Sequence, residues 1–351
     1  MVAFFSASMR VSISLFNTFK GKSLLLLVSI WGVLMMPIDV IGGDHLASHG
    51  EGADEFDLEK RQEELKAMAD SAFYGMTRDE ALNHLEELHS SQLGRFLLEN
   101  RGLNGQWTAY LIKDGLEKSS LNFTETWLLN RAPAVLATRE RFGIFQKQLK
   151  KHLKAGMSIA SVPCGRMDDL IDLDIGDASD LTFTGIDLDQ GSLDLAREKS
   201  DSVSGKENAV TYSYENRDAL SPDVGWGLGE ARFDIITSNG LNIYLKDTDV
   251  DLLYQNFYKA LKPGGLLITS FLTQKEDKNG TPIWEVGDVQ DNLKKQRTIF
   301  ATIIGVQWQN LRTEEETEDQ LKRAGFEAKT IEFKYDKRKI FPTVIARKPE
   351  L

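Results

Sequence analysis

Over residues 157–271 short apolar runs alternate with stretches of helical periodicity, and this alternation restricts the fold more than anything else in the chain. Residues 157–162, 181–186, 210–214, 233–237 and 266–271 read as strands bounded by turn residues. Residues 167–173, 192–199 and 250–261 carry apolar side chains at helix spacing. Strand and helix in alternation at these intervals make βαβ units, hence a parallel sheet covered on both faces. The tail breaks the alternation. Thr313 and Glu316 cap a helix that stops at Ala324-Gly325-Phe326, after which 327–335 and 339–348 read as two strands joined tightly at Asp336-Lys337-Arg338.

Upstream, residues 57–153 are helical in period and poor in strand signals. Thr77 and Glu80 form a capping box ahead of Ala81, Leu82, Leu85 and Leu88. Leu93, Phe96, Leu97 and Leu98 continue on another helix, which Gly102 and Gly105 break. A helix is expected from Glu125 through Val135 in spite of Pro133, and another from Thr138 to Leu153 with Phe142, Phe145 and Leu149 on one side. The chain thus divides into 1–56, a helical region 57–155 and an α/β domain 156–351.

The first segment carries an uncharged apolar run at 23–38, with Arg10, Lys20 and Lys22 before it and Asp39 and Asp44 after it. Three readings of it stand side by side: a membrane anchor or association through residues 23–42, an export signal, or sequence upstream of a later start. Asp44, His45, His49 and Glu51 lie among Gly42, Gly43, Gly50 and Gly52, which makes them a polar linker, and no metal site is expected. All five histidines precede the α/β domain, so no histidine acts from within it. A net charge of -11 argues against a surface built to hold nucleic-acid phosphates. The one cysteine, Cys164, rules out an internal disulfide and suits a reducing compartment.

In a parallel sheet of this kind ligands bind beyond the carboxyl ends of the strands. Gly165 stands at the first such end, where a missing Cβ lets backbone approach a ligand. Asp187 follows 22 residues later, at the end of the second run, a spacing at which a carboxylate reaches a ribose diol. Asp218 follows the third run, placed for an adenine amino group, and Ser238-Asn239-Gly240 follows the fourth.

Gly-Ile-Asp-Leu-Asp with Leu193 and Ala196 behind it, Phe-Asp-Ile-Ile-Thr-Ser-Asn-Gly at 233–240 and Leu-Lys-Pro-Gly-Gly at 261–265 resemble class I S-adenosylmethionine methyltransferases. The resemblance spans 157–348 and is to uncharacterised bacterial members with Ser-Val-Pro-Cys-Gly and Ser-Asn-Gly-Leu-Asn-Ile-Tyr. It implies a Rossmann-like, doubly wound, seven-stranded sheet closed by a C-terminal antiparallel hairpin and preceded by a helical cap. It also implies S-adenosyl-L-methionine as cofactor, held by Ser161, Pro163, Gly165, Asp187, Leu188, Asp218, Ala219, Asn239 and Gly240. Leu188 would lie against the adenine face, and Gly165 with Asn239 near the methionine moiety.

The first loop departs from the family pattern: Ser161 stands at its acidic position, Pro163 at the first glycine and Met167 at the third. The acceptor side is sparser. Asn242 and Tyr244 follow the fourth strand, and Trp107 and Tyr110, further substrate candidates, are expected with Arg139 and Arg141 to cover the cofactor from the helical cap. No Asn/Asp-Pro-Pro-aromatic motif of nitrogen methylation is present, which turns the expectation to a small-molecule or lipid-like acceptor in the cytoplasm. Residues 283–312, with Phe300, Ile303, Ile304 and Trp308 at helical spacing, either wall that pocket or extend the core. Two other functions remain: a methyltransferase-fold scaffold without turnover, and a nicotinamide-dependent oxidoreductase, for which Gly-x-Gly-x-x-Gly is absent and a parallel sixth strand would be required.

Overall fold

The computed structural model describes residues 56–203, 210–221, 227–286, 290–306 and 310–350, which lie in one compact unit, His45–Leu351. The apolar run at 23–38, the group Asp44, His45, His49 and Glu51, and Trp308 lie outside the described residues. Among those described, no helix is long and apolar enough to cross a membrane, and no cluster of side chains suits a metal ion.

Six helices come first: α1 (Leu58–Ala67), α2 (Arg78–Ser90), α3 (Gln92–Asn100), α4 (Gly105–Ile112), α5 (Phe123–Arg131) and α6 (Pro133–His152). The Thr77–Glu80 capping box opens α2 as expected. Pro133 corrects the expected helix boundary. It occupies the first turn of α6, where its missing N–H has no intrahelical partner to lose, so the helices divide at Ala132 and α6 runs 20 residues.

The sheet consists of β1 (Ser158–Ser161), β2 (Leu181–Asp187), β3 (Val210–Asn216), β4 (Phe233–Ser238), β5 (Leu261–Ser270), β6 (Ile331–Lys334) and β7 (Thr343–Arg347). Their order is β3-β2-β1-β4-β5-β7-β6. The first five pair in parallel, β7 runs antiparallel against β5, and β6 antiparallel against β7. That antiparallel β7 removes the ground on which the nicotinamide reading stood. The crossovers are α7 (Asp168–Ile171), α8 (Gln190–Val203), α9 (Asp247–Ala260), then α10 (Gln290–Arg297) and α11 (Glu314–Ala324). One face of the sheet buries Ile159, Phe183, Ile235, Ile268 and Ile345 against Phe145 and Leu149 of α6 and Leu193 of α8. The other buries Ile236, Leu267 and Val344 against Leu253, Tyr254 and Phe257 of α9 and Leu321 of α11.

Two strand expectations change. β5 starts at Leu261, through the Pro-Gly-Gly segment, with an irregularity in its pairing to β4. The hairpin is longer than a tight turn: residues 335–342 form a loop around buried Asp336, whose carboxylate accepts the N–H groups of Arg338 (2.9 Å) and Phe341 (2.7 Å). The insertion before α11 winds into a π-helical turn, Thr298–Ile304. Ile299, Phe300, Ile303 and Ile304 are buried with Leu65, Leu85 and Leu128 of the first helices, so this turn extends the helical core.

Candidate active site

The first crossover loop leaves β1 at Ser161, passes a cis Val162–Pro163 bond and reaches Gly165 at φ +50°, a left-handed conformation that suits glycine. From there the Gly165 N–H donates to Asp187 Oδ2 at 2.9 Å, and Asp187 Oδ1 accepts the Asp189 N–H at 3.0 Å. The carboxylate at the end of β2 is therefore fixed to the turn at the end of β1. It is buried, and Leu188 beside it is exposed. Asn216, at the end of β3, donates its side-chain amide to the Leu188 carbonyl at 2.8 Å and ties the third strand end to the second. No sequence signal marked this asparagine.

Ser161 leaves the family's acidic position without a charge, and a neighbour supplies one. Asp169 of α7 turns its carboxylate back under the strand ends, where Ser161 Oγ donates to both its oxygens at 3.0 Å and Thr237 Oγ1 to Oδ2 at 2.6 Å. Burial pushes this carboxyl up to about 6, against the lowering effect of the two hydroxyls. Sequence reading missed it because the acid sits eight residues downstream of the expected place and approaches through space. The Cys164 thiol is buried, which raises it well above its ordinary value, and the Asp187 carboxylate raises it further.

Other sequence candidates are placed as follows. Asp218 Oδ1 accepts the Leu220 N–H at 2.9 Å and closes a turn, while buried Ala219 offers its carbonyl to Asn256. Asn239 Oδ1 is buried with no partner among the described residues. Gly240, at φ +94°, lies under the guanidinium of Arg141 from α6. Burial pushes the Tyr244 phenol up to about 12, and a backbone hydrogen bond at Leu103 joins it to the helical region. Asn242 is fully buried and donates to the Tyr254 hydroxyl at 2.6 Å, on the α9 side. Trp107 and Tyr110 line a cavity of about 270 Å3 among the first helices, with Leu93, Asn122 and Glu125. The loop end of the same α4 does reach the sheet: a Cβ on Gly105 would lie 2.4 Å from the Gly165 Cα. Arg166 fastens the contact by pairing with Asp114 (2.5 Å) and Asp168 (3.1 Å).

A family model described as a methyltransferase domain matches residues 165–267, from Gly165 into β5. Residues 165–267 are therefore a methyltransferase domain, set in a sheet of Rossmann-like order. Among solved structures it is similar to a protein described as a possible exported protein from Bordetella parapertussis, with 35% identity, a TM-score of 0.70, and coverage of 84% of this chain and 97% of that one. Magnesium protoporphyrin IX methyltransferase from Synechocystis PCC 6803 with bound SAH is more distant, at 13% identity and a TM-score of 0.44 over 69% of this chain and 97% of that one. The S-adenosylmethionine-dependent methyltransferase SibL in its apo form has 13% identity and a TM-score of 0.47 over 84% and 74%. No curated protein matches. Class I methyltransferases use S-adenosylmethionine, and this one has features that fit it: a carboxylate at the end of β2, an apolar side chain exposed beside it, two glycines at left-handed turns and an orphaned amide oxygen after β4.

Proposed function

We propose that this methyltransferase binds S-adenosylmethionine across the ends of β1 to β4 and methylates a small or lipid-like acceptor presented from the β4–β5 side. The observation that carries the reading is the 2.9 Å contact between the Gly165 N–H and Asp187, which fixes backbone and carboxylate at one point of the sheet edge. When bound, the cofactor supplies an electrophilic methyl on a cationic sulfur that leaves readily. Asp187 would accept the ribose hydroxyls, Leu188 and Ala219 would flank the adenine, and Asp218 would accept from its amino group. Ser161, Pro163, Gly165, Asn239 and Gly240 would hold the methionine portion. What remains for the protein is to align the acceptor and exclude water. Residues 156–351 form the catalytic domain in this reading, and 57–155 its cap.

Calorimetry with S-adenosylhomocysteine tests the reading. Wild type should bind, and Asp187→Asn should bind roughly 10- to 100-fold more weakly, the loss expected when a charged acceptor is removed. No binding to wild type at millimolar ligand would leave the scaffold reading, which Pro163 and Met167 in the first loop favour. For localisation we propose a domain facing the cytoplasm, where the cofactor is made. The description of the Bordetella relative favours export as a second reading, and a reporter fused after residue 351 distinguishes the two.

A further inference from the structure

Two arginines are almost wholly buried beside the loop that follows β4. Arg312, 2% exposed, directs Nε to Asp247 (2.8 Å), Nη1 to the Asn242 carbonyl (2.8 Å) and Nη2 to the Leu245 carbonyl (2.6 Å). Arg141, 4% exposed, has no partner for Nε or Nη1 among the described residues, and none of their carboxylates pairs with it. A guanidinium taken out of water without compensation costs several kcal/mol. Its neighbours offset that only in part, through the Phe341 ring and the charge of Asp336, and burial still lowers the guanidinium from its ordinary value. One face covers the Phe341 ring, with Cζ 4.6 Å from the centroid. Tyr244 stays neutral, and Asp336 already accepts backbone N–H groups.

The position of Arg141 follows from the helix. Phe145 of α6 packs on the sheet face that carries Ile268 and Ile345, and Arg141 lies one turn closer to the strand ends. Alternation puts Ser270 and Thr343, which are register partners, on that same face two residues beyond those isoleucines. The Ser270 and Thr343 hydroxyls are likewise buried without partners among the described residues. At the β4 turn, a Cβ on Gly240 would lie only 3.2 Å from Arg141 Nη2 and 3.4 Å from Nη1, so the glycine is what admits the guanidinium.

We propose that Arg141 binds a carboxylate on the methyl acceptor, which makes the substrate class a small apolar acid. This rests on the methyltransferase reading above. The cofactor's own carboxylate is the competing occupant, because Gly240, assigned above to the methionine portion, lies under the same guanidinium. What favours the acceptor is the far side of the guanidinium: Arg141 touches Gly240 at the turn of β4, which adjoins β1, but it stacks on Phe341, two residues ahead of β7, and β7 lies three strands or about 14 Å from β1. Phe341 and Ile243 supply the apolar surroundings for the acid's body.

The test uses S-adenosylhomocysteine-saturated protein titrated with benzoate and octanoate, and with benzamide and octanamide as neutral controls. Wild type should bind at least one acid 10-fold or more tightly than its amide. Arg141→Met should lose that preference while its S-adenosylhomocysteine affinity stays within two-fold, and its ligand-free melting temperature should be unchanged or higher. Arg141→Lys should retain part of the preference. Three results would overturn the proposal: acids bound no better than amides by wild type, a preference that survives Arg141→Met, or a ten-fold loss of S-adenosylhomocysteine affinity in the variant with 5′-methylthioadenosine affinity unchanged. The last would hand the arginine to the cofactor. If wild type binds no S-adenosylhomocysteine, the methyltransferase reading fails, and the acid–amide comparison on unloaded protein still decides for or against Arg141.

Discussion

Asp169 shows how a single residue ties the site to stability. Its carboxyl is raised from 3.8 to about 6 in the folded protein because burial disfavours the charge. A raised acid contributes stability that is present in full below pH 3.8 and is lost as pH climbs through about 6. Across that window wild type should lose about 3 kcal/mol relative to Asp169→Asn, which cannot ionise. Urea denaturation of both proteins between about pH 4 and pH 7 measures the difference, and parallel curves would contradict the assignment. Gly105 makes a second prediction. Its Cα is so close to Gly165 that Gly105→Ala must push α4 away from the first loop, at a cost of about 2 kcal/mol. The variant should melt lower and bind S-adenosylhomocysteine more weakly. Neither role was legible in the sequence, because each depends on a partner brought close only by the fold, Thr237 for Asp169 and Gly165 for Gly105.

Among the elements, those set by local chemistry were legible and those set by distant packing were not. The capping boxes at Thr77 and Thr313 and the βαβ alternation announced helix starts and the parallel sheet directly. Asp187 and Gly165 were legible too, since strand-end position and spacing alone select them. Pro133 was misread as an interior residue of one continuous helix, because its effect depends on which residue starts the helix. Asn242 looked available for an acceptor on the strength of its loop, yet it is fully buried and its Nδ2 is committed to Tyr254 on α9. The π-helical turn at Thr298–Ile304 was left between wall and core, and its apolar residues are buried among the first helices. Ile303→Ala should therefore cost about 2 to 5 kcal/mol of stability, read by chemical denaturation, with S-adenosylhomocysteine affinity unchanged in the folded fraction.

At the scale of the whole molecule, the helical region and the α/β domain share apolar clusters, α6 packing on the sheet and the π-helical turn among the first helices, and are also fastened by specific polar contacts. Gln296 accepts the Ala134 N–H at 2.7 Å, and Arg166 pairs with Asp114 across the boundary while also holding Asp168. Calorimetric melting should thus show one transition, which S-adenosylhomocysteine at about 100 times its Kd should stabilise by about 2.7 kcal/mol. Two transitions, only one of them moved by ligand, would mean that the helices unfold on their own. The bare backbone contact between Gly105 and Gly165 carries an evolutionary corollary. A side chain gained at either position is intolerable while the other half of the molecule stays where it is, so descent should preserve or abandon the two glycines as a pair. Relatives that have lost one should have lost its mate, or have remodelled the start of the fourth helix.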